Sequence, residues 1–100
     1  MVKKYSAIFK SEKFRSLLKN HKVKRIAIFG SYARGTARKT SDMDFLVEFE
    51  KDADLLDQVG LKFDLEKLFK KEVDIATPRS LSKYIRHKVI KDAETIYAQG

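Results

Sequence analysis

Residues 30–49 read GSYARGTARKTSDMDFLVEF and decide the fold of this chain. The stretch begins with a Gly-Ser pair directly after an apolar run, residues 23–29, and ends in a second apolar run, residues 43–49. Each run is short and apolar, and each is therefore predicted to be a buried strand. Gly30 and Gly35 bracket a tight connection between the two strands, with room for one helical turn.

Further elements are predicted on both sides of these strands. The predicted elements are a helix over residues 11–21 capped by Ser11, a helix over residues 55–70 capped by Asp54, a third strand over residues 72–77 closed by Pro78, and a last helix over residues 81–97. In the last helix, the core is expected to be faced by Leu81, Ile85, Val89, Ala93 and Ile96. The order predicts an α/β (α+β) fold over residues 1–100, a single domain with a mixed three-stranded sheet and helices packed on it.

The predicted helix 55–70 is apolar on two sides. One side carries Leu55, Leu56, Val59 and Phe63, and the opposite side carries Leu61, Leu65 and Leu68. Such a helix either packs on the sheet and on a partner chain, or is covered on both sides within the domain. The sequence leaves both alternatives open.

The composition limits the classes of site that the chain can build. It has 100 residues, 43% of them hydrophobic, no Cys, and two His that lie far apart at positions 21 and 87. A metal site would therefore consist of oxygen ligands, which favours Mg²⁺, Mn²⁺ or Ca²⁺ over Zn²⁺. No apolar run has membrane length and no signal-peptide pattern occurs, so a soluble, cytoplasmic protein without membrane contact is expected.

The net charge of +8 is unevenly distributed. Residues 1–41 contain 12 bases and one acid, whereas residues 42–59 contain seven acids and one base. A basic half can steer a polyanion such as a nucleic acid, a nucleotide or an acidic partner. The acidic segment beside it argues against a simple nucleic-acid-binding surface, because it would repel phosphates.

The second strand places two carboxylates on one face. Side chains alternate along a strand, so Asp42 and Asp44 point away from the core side of Met43 and Phe45. Asp74 has the same relation to its apolar neighbours in the third strand. If the second and third strands pair, three carboxylates share one face of the sheet.

Three carboxylates on one face repel each other, and divalent cations remove that repulsion. Two Mg²⁺ ions would also supply the charge neutralisation that phosphoryl or nucleotidyl transfer requires. The glycine of Gly30-Ser31 lets the backbone approach a phosphate, and the Ser31 hydroxyl adds a donor. Arg34 or Arg38 is a candidate to bind the leaving pyrophosphate.

Each of these features also has an ordinary structural explanation. An Asp-x-Asp sequence is usually a solvated turn, a Gly-Ser pair usually a plain turn, and an arginine cluster usually a solvated surface. Asp74 could protect an edge strand from aggregation, and Tyr32 is more often a packing residue than a base-stacking one. The combination is more specific than any of its parts.

The combination resembles a known signature. Gly30-Ser31, ten intervening residues and Asp42-Met43-Asp44 resemble the motif of the DNA polymerase β-like nucleotidyltransferase superfamily. More narrowly, GSYARG and SDMDFLVEF resemble the minimal nucleotidyltransferases (MNT), the antitoxin partners of HEPN toxins. The resemblance extends over nearly the whole chain, including VDIATP and the closing helix up to Tyr97.

The resemblance implies a reaction and a set of roles. It implies that Asp42 and Asp44 bind two Mg²⁺ ions, that Asp74 is the third metal-binding carboxylate and a candidate base, and that Gly30 and Ser31 hold the triphosphate of ATP. It further implies transfer of AMP to a tyrosine of a HEPN toxin, with release of pyrophosphate. The chain is too short for an acceptor-binding domain, so the acceptor site must come from a partner or from a second copy.

Two other classes of function remain as alternatives. One is a docking module that neutralises a toxin by binding alone, for which three mutually repelling carboxylates would serve no purpose. The other is a nucleic-acid-binding domain, suggested by the basic first 41 residues. The nucleotide preference, the acceptor hydroxyl, the oligomeric state and the activity of the isolated chain are not encoded in any motif of the sequence.

Overall fold

In the computed structural model, which describes residues 5–99, a four-stranded sheet is packed with five helices. The helices are α1 (Ser6–Phe9), α2 (Glu12–Asn20), α3 (Gly30–Arg34), α4 (Leu55–Phe69) and α5 (Lys83–Asp92). The strands are β1 (Val23–Phe29), β2 (Met43–Phe49), β3 (Val73–Ala76) and β4 (Glu94–Ala98). The prediction of one domain extends over residues 1–100, including positions outside the described residues, and it stays a prediction.

The local signals placed most of these elements correctly. The Ser11 side chain accepts a hydrogen bond from the Phe14 N–H at the start of α2. Asp54 accepts from the Asp57 N–H, and Asp57 accepts from the Asp54 N–H, which forms a reciprocal capping box at the start of α4. The short helix α1 was not predicted, and it brings Phe9 into the core.

The sheet is mixed, as predicted, with the strand order β3-β2-β1-β4. The central strand β1 is antiparallel to both β2 and β4, whereas β2 and β3 are parallel. In the register, Asp44 faces Phe29 on one neighbouring strand and Asp74 on the other. The end of β1, the start of β2 and β3 therefore meet at one edge of the sheet.

The predicted last helix, residues 81–97, is wrong over its last five residues, 93–97. Helix α5 ends at Asp92, Ala93 is extended, and the following residues form β4, so the sheet has four strands and not three. The segment ETIYA is rich in residues that favour strands, and it covers the edge of β1 that would otherwise leave its backbone groups unpaired.

The predicted apolar stripe of that helix does not form either. No α5 residue is buried, and half of the Ile85 side chain is exposed. Ile96 does pack against the core, but from β4. The apolar residues of this segment are three or four positions apart, although they belong partly to a helix and partly to a strand. Periodicity alone cannot distinguish this case from one continuous helix.

The core lies on one face of the sheet. The alternating residues Met43, Phe45 and Val47 of β2 are fully buried on this face. They are covered by Phe14 and Leu18 of α2 and by Leu61 and Leu65 of α4, all fully buried in the same apolar cluster. The opposite alternation of β2, which includes Asp44, faces away from this cluster.

Helix α4 has one buried and one exposed apolar side. Leu61 and Leu65 are fully buried, whereas the apolar side chains of the other side are exposed, namely Leu55, Leu56, Val59 and Phe63. The alternative that α4 is covered on both sides within the domain is therefore wrong for the described residues, and contact with a partner stays a prediction. Within residues 5–99 no helix, α4 included, combines the length and apolar character needed to cross a membrane.

Candidate active site

Two of the three predicted carboxylates stand side by side on neighbouring strands. Asp44 of β2 and Asp74 of β3 are register partners in the parallel pair, and the side chains of such partners point to the same face of the sheet. Asp42 lies directly before β2, two residues from Asp44. Asp42 and Asp74 are exposed, and Asp44 is partly buried between them and α3.

The three carboxylates interact electrostatically. Partial burial raises the pKa of Asp44 above its ordinary value of 3.8, and the negative charges of Asp74 and Asp42 raise it further. The positive charge of Arg34 opposes these effects and lowers the pKa of Asp44. A cation placed among these carboxylates would relieve a repulsion that the folded chain alone does not remove.

The carboxylates fit a metal ion that is shared with a ligand. Among residues 5–99, no group of three or more acidic or histidine side chains is arranged to hold a metal ion by itself. Mg²⁺ is commonly held by one or two carboxylates together with substrate phosphates and water, and hard oxygen ligands are what Mg²⁺ prefers. The donor set therefore fits Mg²⁺ bound together with a nucleotide.

Gly30 is fitted against Asp44. Its φ of +73° lies in the left-handed region, which glycine adopts without steric cost. A Cβ added at Gly30 would overlap the Asp44 carboxylate, and it would lie 3.2 Å from Asp44 Cγ. The sequence analysis explained a glycine at this position by the approach of a phosphate. The structure adds a second reason for glycine here, because a Cβ would occupy the space of the Asp44 carboxylate.

Ser31 and Tyr32 follow Gly30 in α3. Ser31 is partly exposed, and its carbonyl oxygen accepts a hydrogen bond from the Thr36 N–H at 2.9 Å, which folds the following loop back on α3. Tyr32 is buried in the apolar cluster, and its ring packs against Tyr5. The interpretation of Tyr32 as a packing residue is thereby confirmed.

The structure distinguishes between the two candidate arginines. Arg34 acts on the charge of Asp44, and its Nη1 lies 3.7 Å from Asp92 Oδ2. Arg38 lies in an exposed turn, where its N–H donates to Ser41 Oγ and its carbonyl oxygen accepts from the Ser41 N–H. Of the two, only Arg34 is shown to influence the carboxylates.

Sequence reasoning missed Lys71. Its ammonium donates to the carbonyl oxygens of Lys39 at 2.5 Å and of Ser41 at 3.3 Å, and it lies 5.7 Å from the centre of the Tyr32 ring. Its side-chain hydrogen bond with Tyr32 raises the pKa of Lys71, and Asp42 adds to this shift. Lys71 thus ties the loop before Asp42 to α3. No local pattern reveals it, because these partners lie 30 or more residues away in sequence.

A model of the nucleotidyltransferase domain family matches residues 10–96. The chain belongs to this family. A Methanocaldococcus jannaschii relative whose name assigns it protein adenylyltransferase activity is 46% identical over 77 residues, which are 77% of this nucleotidyltransferase and 83% of the relative. Protein adenylyltransferase MntA of Thermococcus cleftensis is 36% identical over 94 residues, which cover 86% and 95% of the two chains.

Solved structures confirm the fold of this nucleotidyltransferase. A minimal nucleotidyltransferase superposes with a TM-score of 0.79 at 40% identity, and the match covers 93% of each chain. A toxin–antitoxin structure with AMP-PNP superposes with a TM-score of 0.71 at 27% identity, covering 87% of this chain and 72% of the other. The family predicted from the Gly-Ser and Asp-x-Asp motifs is thereby confirmed.

Proposed function

We propose that this nucleotidyltransferase is an Mg²⁺-dependent antitoxin that transfers AMP from ATP to a tyrosine hydroxyl of a HEPN toxin, with release of pyrophosphate. One observation carries the proposal: Asp44 faces Asp74 in register, and Gly30 packs against Asp44. A phosphate that approaches the Gly30 backbone would therefore lie beside both carboxylates.

The acceptor and the nucleotide are inferred from the relatives. The two relatives carry the name protein adenylyltransferase, and one similar structure is a toxin–antitoxin with AMP-PNP, an ATP analogue. The motif resemblance to MNT antitoxins supports a HEPN toxin as the partner. ATP is the proposed nucleotide on these grounds.

Asp42, Asp44 and Asp74 are the residues that would hold the Mg²⁺ ions. When bound there, Mg²⁺ would neutralise the charge that develops on the phosphates and lower the pKa of the attacking hydroxyl. Partial burial and mutual repulsion of these side chains favour uptake of a cation, because they make the charged form of Asp44 costly in the isolated chain.

The remaining steps are assigned to residues of the chain. Gly30 and Ser31 bind the triphosphate, and Arg34 balances the negative charge of the departing pyrophosphate. The acceptor oxygen forms a bond to the α-phosphorus while the bond from this phosphorus to the bridging oxygen breaks. Pyrophosphate leaves with the electron pair, and the proton of the acceptor hydroxyl passes to the Asp74 carboxylate.

The test is transfer of label from ATP labelled at the α-phosphate to the toxin encoded by the neighbouring gene. Label on the toxin is expected with Mg²⁺, and its loss with EDTA or in Asp44→Asn. Glu48→Gln is the matched control, because it makes the same change on the same strand, at an exposed position whose carboxylate pairs with Arg25. The control is expected to label normally.

Labelling experiments also separate catalysis from docking. If the wild-type chain binds ATP and the toxin but leaves no label, the chain neutralises the toxin by binding alone. Full protection of cells by Asp44→Asn would support the same conclusion. Steeply salt-dependent binding of RNA without Mg²⁺ would instead favour the nucleic-acid alternative.

A further inference from the structure

Helix α5 lies on the side of the sheet that carries the carboxylates. It contacts α3 and β1, and Asp92 at its end lies 3.7 Å from Arg34, the arginine that acts on Asp44. None of its residues belongs to the apolar cluster, which α2 and α4 cover on the opposite face. Helix α5 therefore lies beside the candidate active site.

The helix presents apolar side chains to solvent. Its ten residues include no buried side chain. Tyr84 is 84% exposed and Ile90 is 52% exposed. Helices in proteins depend on the packing of an apolar face for most of their stability, so these exposed side chains are suited to bury against another molecule.

The solvent-exposed surface of α5 is also strongly basic. Lys83, Arg86, Lys88 and Lys91 are all exposed, and in residues 5–99 none of the four has an ion-pair partner. The only acid of the helix, Asp92, is engaged with Arg34. The first turn contains no acid, and Lys83 in that turn opposes the helix dipole. Anionic groups on a bound partner would balance these charges.

We propose that the exposed surface of α5 that carries Lys83, Tyr84, Arg86, Lys88, Ile90 and Lys91 is the docking surface for the protein acceptor, and that it binds an acidic segment with apolar side chains. This inference rests on the proposed function. Tyr84 and Ile90 supply apolar anchors and the cations supply a charged rim, which is the arrangement of protein–protein interfaces. A partner held on α5 would present its hydroxyl to the neighbouring site.

The carboxylates beside α5 argue for a protein and against a nucleic acid as the occupant. A nucleic acid places phosphates at regular short spacing, and the phosphates next to those on α5 would meet Asp42, Asp44 and Asp74. A protein segment can limit its negative charge to the part that contacts the helix, so it avoids this repulsion.

The decisive experiment reverses two charges on α5. The double variant Lys83→Glu/Lys88→Glu is compared with Lys13→Glu/Lys19→Glu, which makes the same charge change at exposed positions of α2, on the opposite face of the sheet. The KM for the toxin of the neighbouring gene is expected to rise about tenfold or more in the α5 variant. In the α5 variant the KM for ATP is expected to equal that of the wild type. In the α2 control variant both KM values are expected to equal those of the wild type.

A second variant tests the apolar part of the surface. Tyr84→Ser is expected to raise the KM for the toxin without lowering the melting temperature, because the side chain is 84% exposed. An unchanged KM for the toxin in both variants would overturn the proposal. Loss of binding to a single-stranded RNA oligonucleotide with an unchanged KM would assign α5 to nucleic acid instead.

Binding of the toxin to α5 can be tested even if the chain does not transfer AMP. If the wild-type chain does not label the toxin, the affinity of the toxin for each variant is measured by calorimetric titration without nucleotide. A loss of affinity in the α5 variants and not in the α2 control supports the docking surface even in that case. Equal affinity in all of them refutes it.

Discussion

At the scale of single residues, the site depends on the close approach of Gly30 to Asp44. Gly30 follows the end of β1, and Asp44 lies at the start of β2. Only a residue without a Cβ at position 30 leaves room for the Asp44 carboxylate. The chain also holds Asp44 in a position where its charge is disfavoured. The disfavoured charge of Asp44 costs stability in the isolated chain, and both features lie where a phosphate and a cation are proposed to bind.

Gly30→Ala is expected to abolish labelling of the toxin and to destabilise the chain by about 1–3 kcal/mol, since it combines a left-handed backbone with steric overlap. Gly35→Ala is the matched control. Its φ is +76°, but nothing lies within 4 Å of the added Cβ, so it should cost about 1–2 kcal/mol and retain activity. Thermal unfolding and the labelling assay check both variants. If Gly30→Ala labels the toxin normally, Gly30 is not part of the active site.

Asp44→Asn is expected to raise the melting temperature at pH 7 in EDTA, although the same variant is expected to lose activity. The pKa of Asp44 is raised in the folded chain, so the folded state binds more protons than the unfolded state between pH 3.8 and the raised value. The free energy of unfolding therefore falls as the pH rises through this window. Asparagine at position 44 does not titrate, so the variant does not lose this stability. Melting curves against pH check it: the gain should vanish below pH 3.8, and a lower melting temperature at pH 7 would refute it.

At the scale of elements, alternation and helical periodicity predicted the strands around the site and the two sides of α4. Both signals are local, because they depend on which side chains of one segment point the same way. The same reasoning failed for α5 and β4, where an apolar spacing continued across the end of the helix. Tertiary pairing with β1 overrode it.

The two sides of α4 should respond differently to truncation. Leu65→Ala removes a fully buried side chain and is expected to cost about 2–5 kcal/mol. Phe63→Ser changes the exposed apolar side and should alter the free energy of unfolding by less than about 0.5 kcal/mol. Urea unfolding of the isolated chain measures both. A large loss in Phe63→Ser would show that this side is covered in the isolated chain.

At the scale of the whole molecule, the site is assembled by contacts between distant parts of the sequence. Asp74 meets Asp44 through the pairing of β2 with β3, Asp92 meets Arg34 from α5, and Lys71 holds the loop before Asp42. A change in one of these contacts should act on the geometry of the site without touching the reacting groups.

Lys71→Met is expected to lower the rate of labelling about ten- to a hundredfold, because it frees the loop before Asp42 from two hydrogen bonds. Hydrogen exchange should become faster in residues 36–42, which separates loss of positioning from loss of fold. Lys67→Met, at an exposed position of α4, is the control and should change neither quantity. Unchanged exchange and rate in Lys71→Met would rule out the positioning role.

The sequence alone determined the family, the caps of α2 and α4, the burial alternation of β2 and the two-residue spacing of Asp42 and Asp44. These features depend on neighbours in the chain, so local spacing and residue type are sufficient to predict them. The tertiary structure decided the fourth strand, the pairing of Asp44 with Asp74, the effect of Arg34 on the pKa of Asp44 and the contacts of Lys71 with the loop before Asp42. Each of these depends on register or on a contact across the fold, where segments distant in sequence satisfy each other's backbone groups and charges, and no local pattern encodes that meeting.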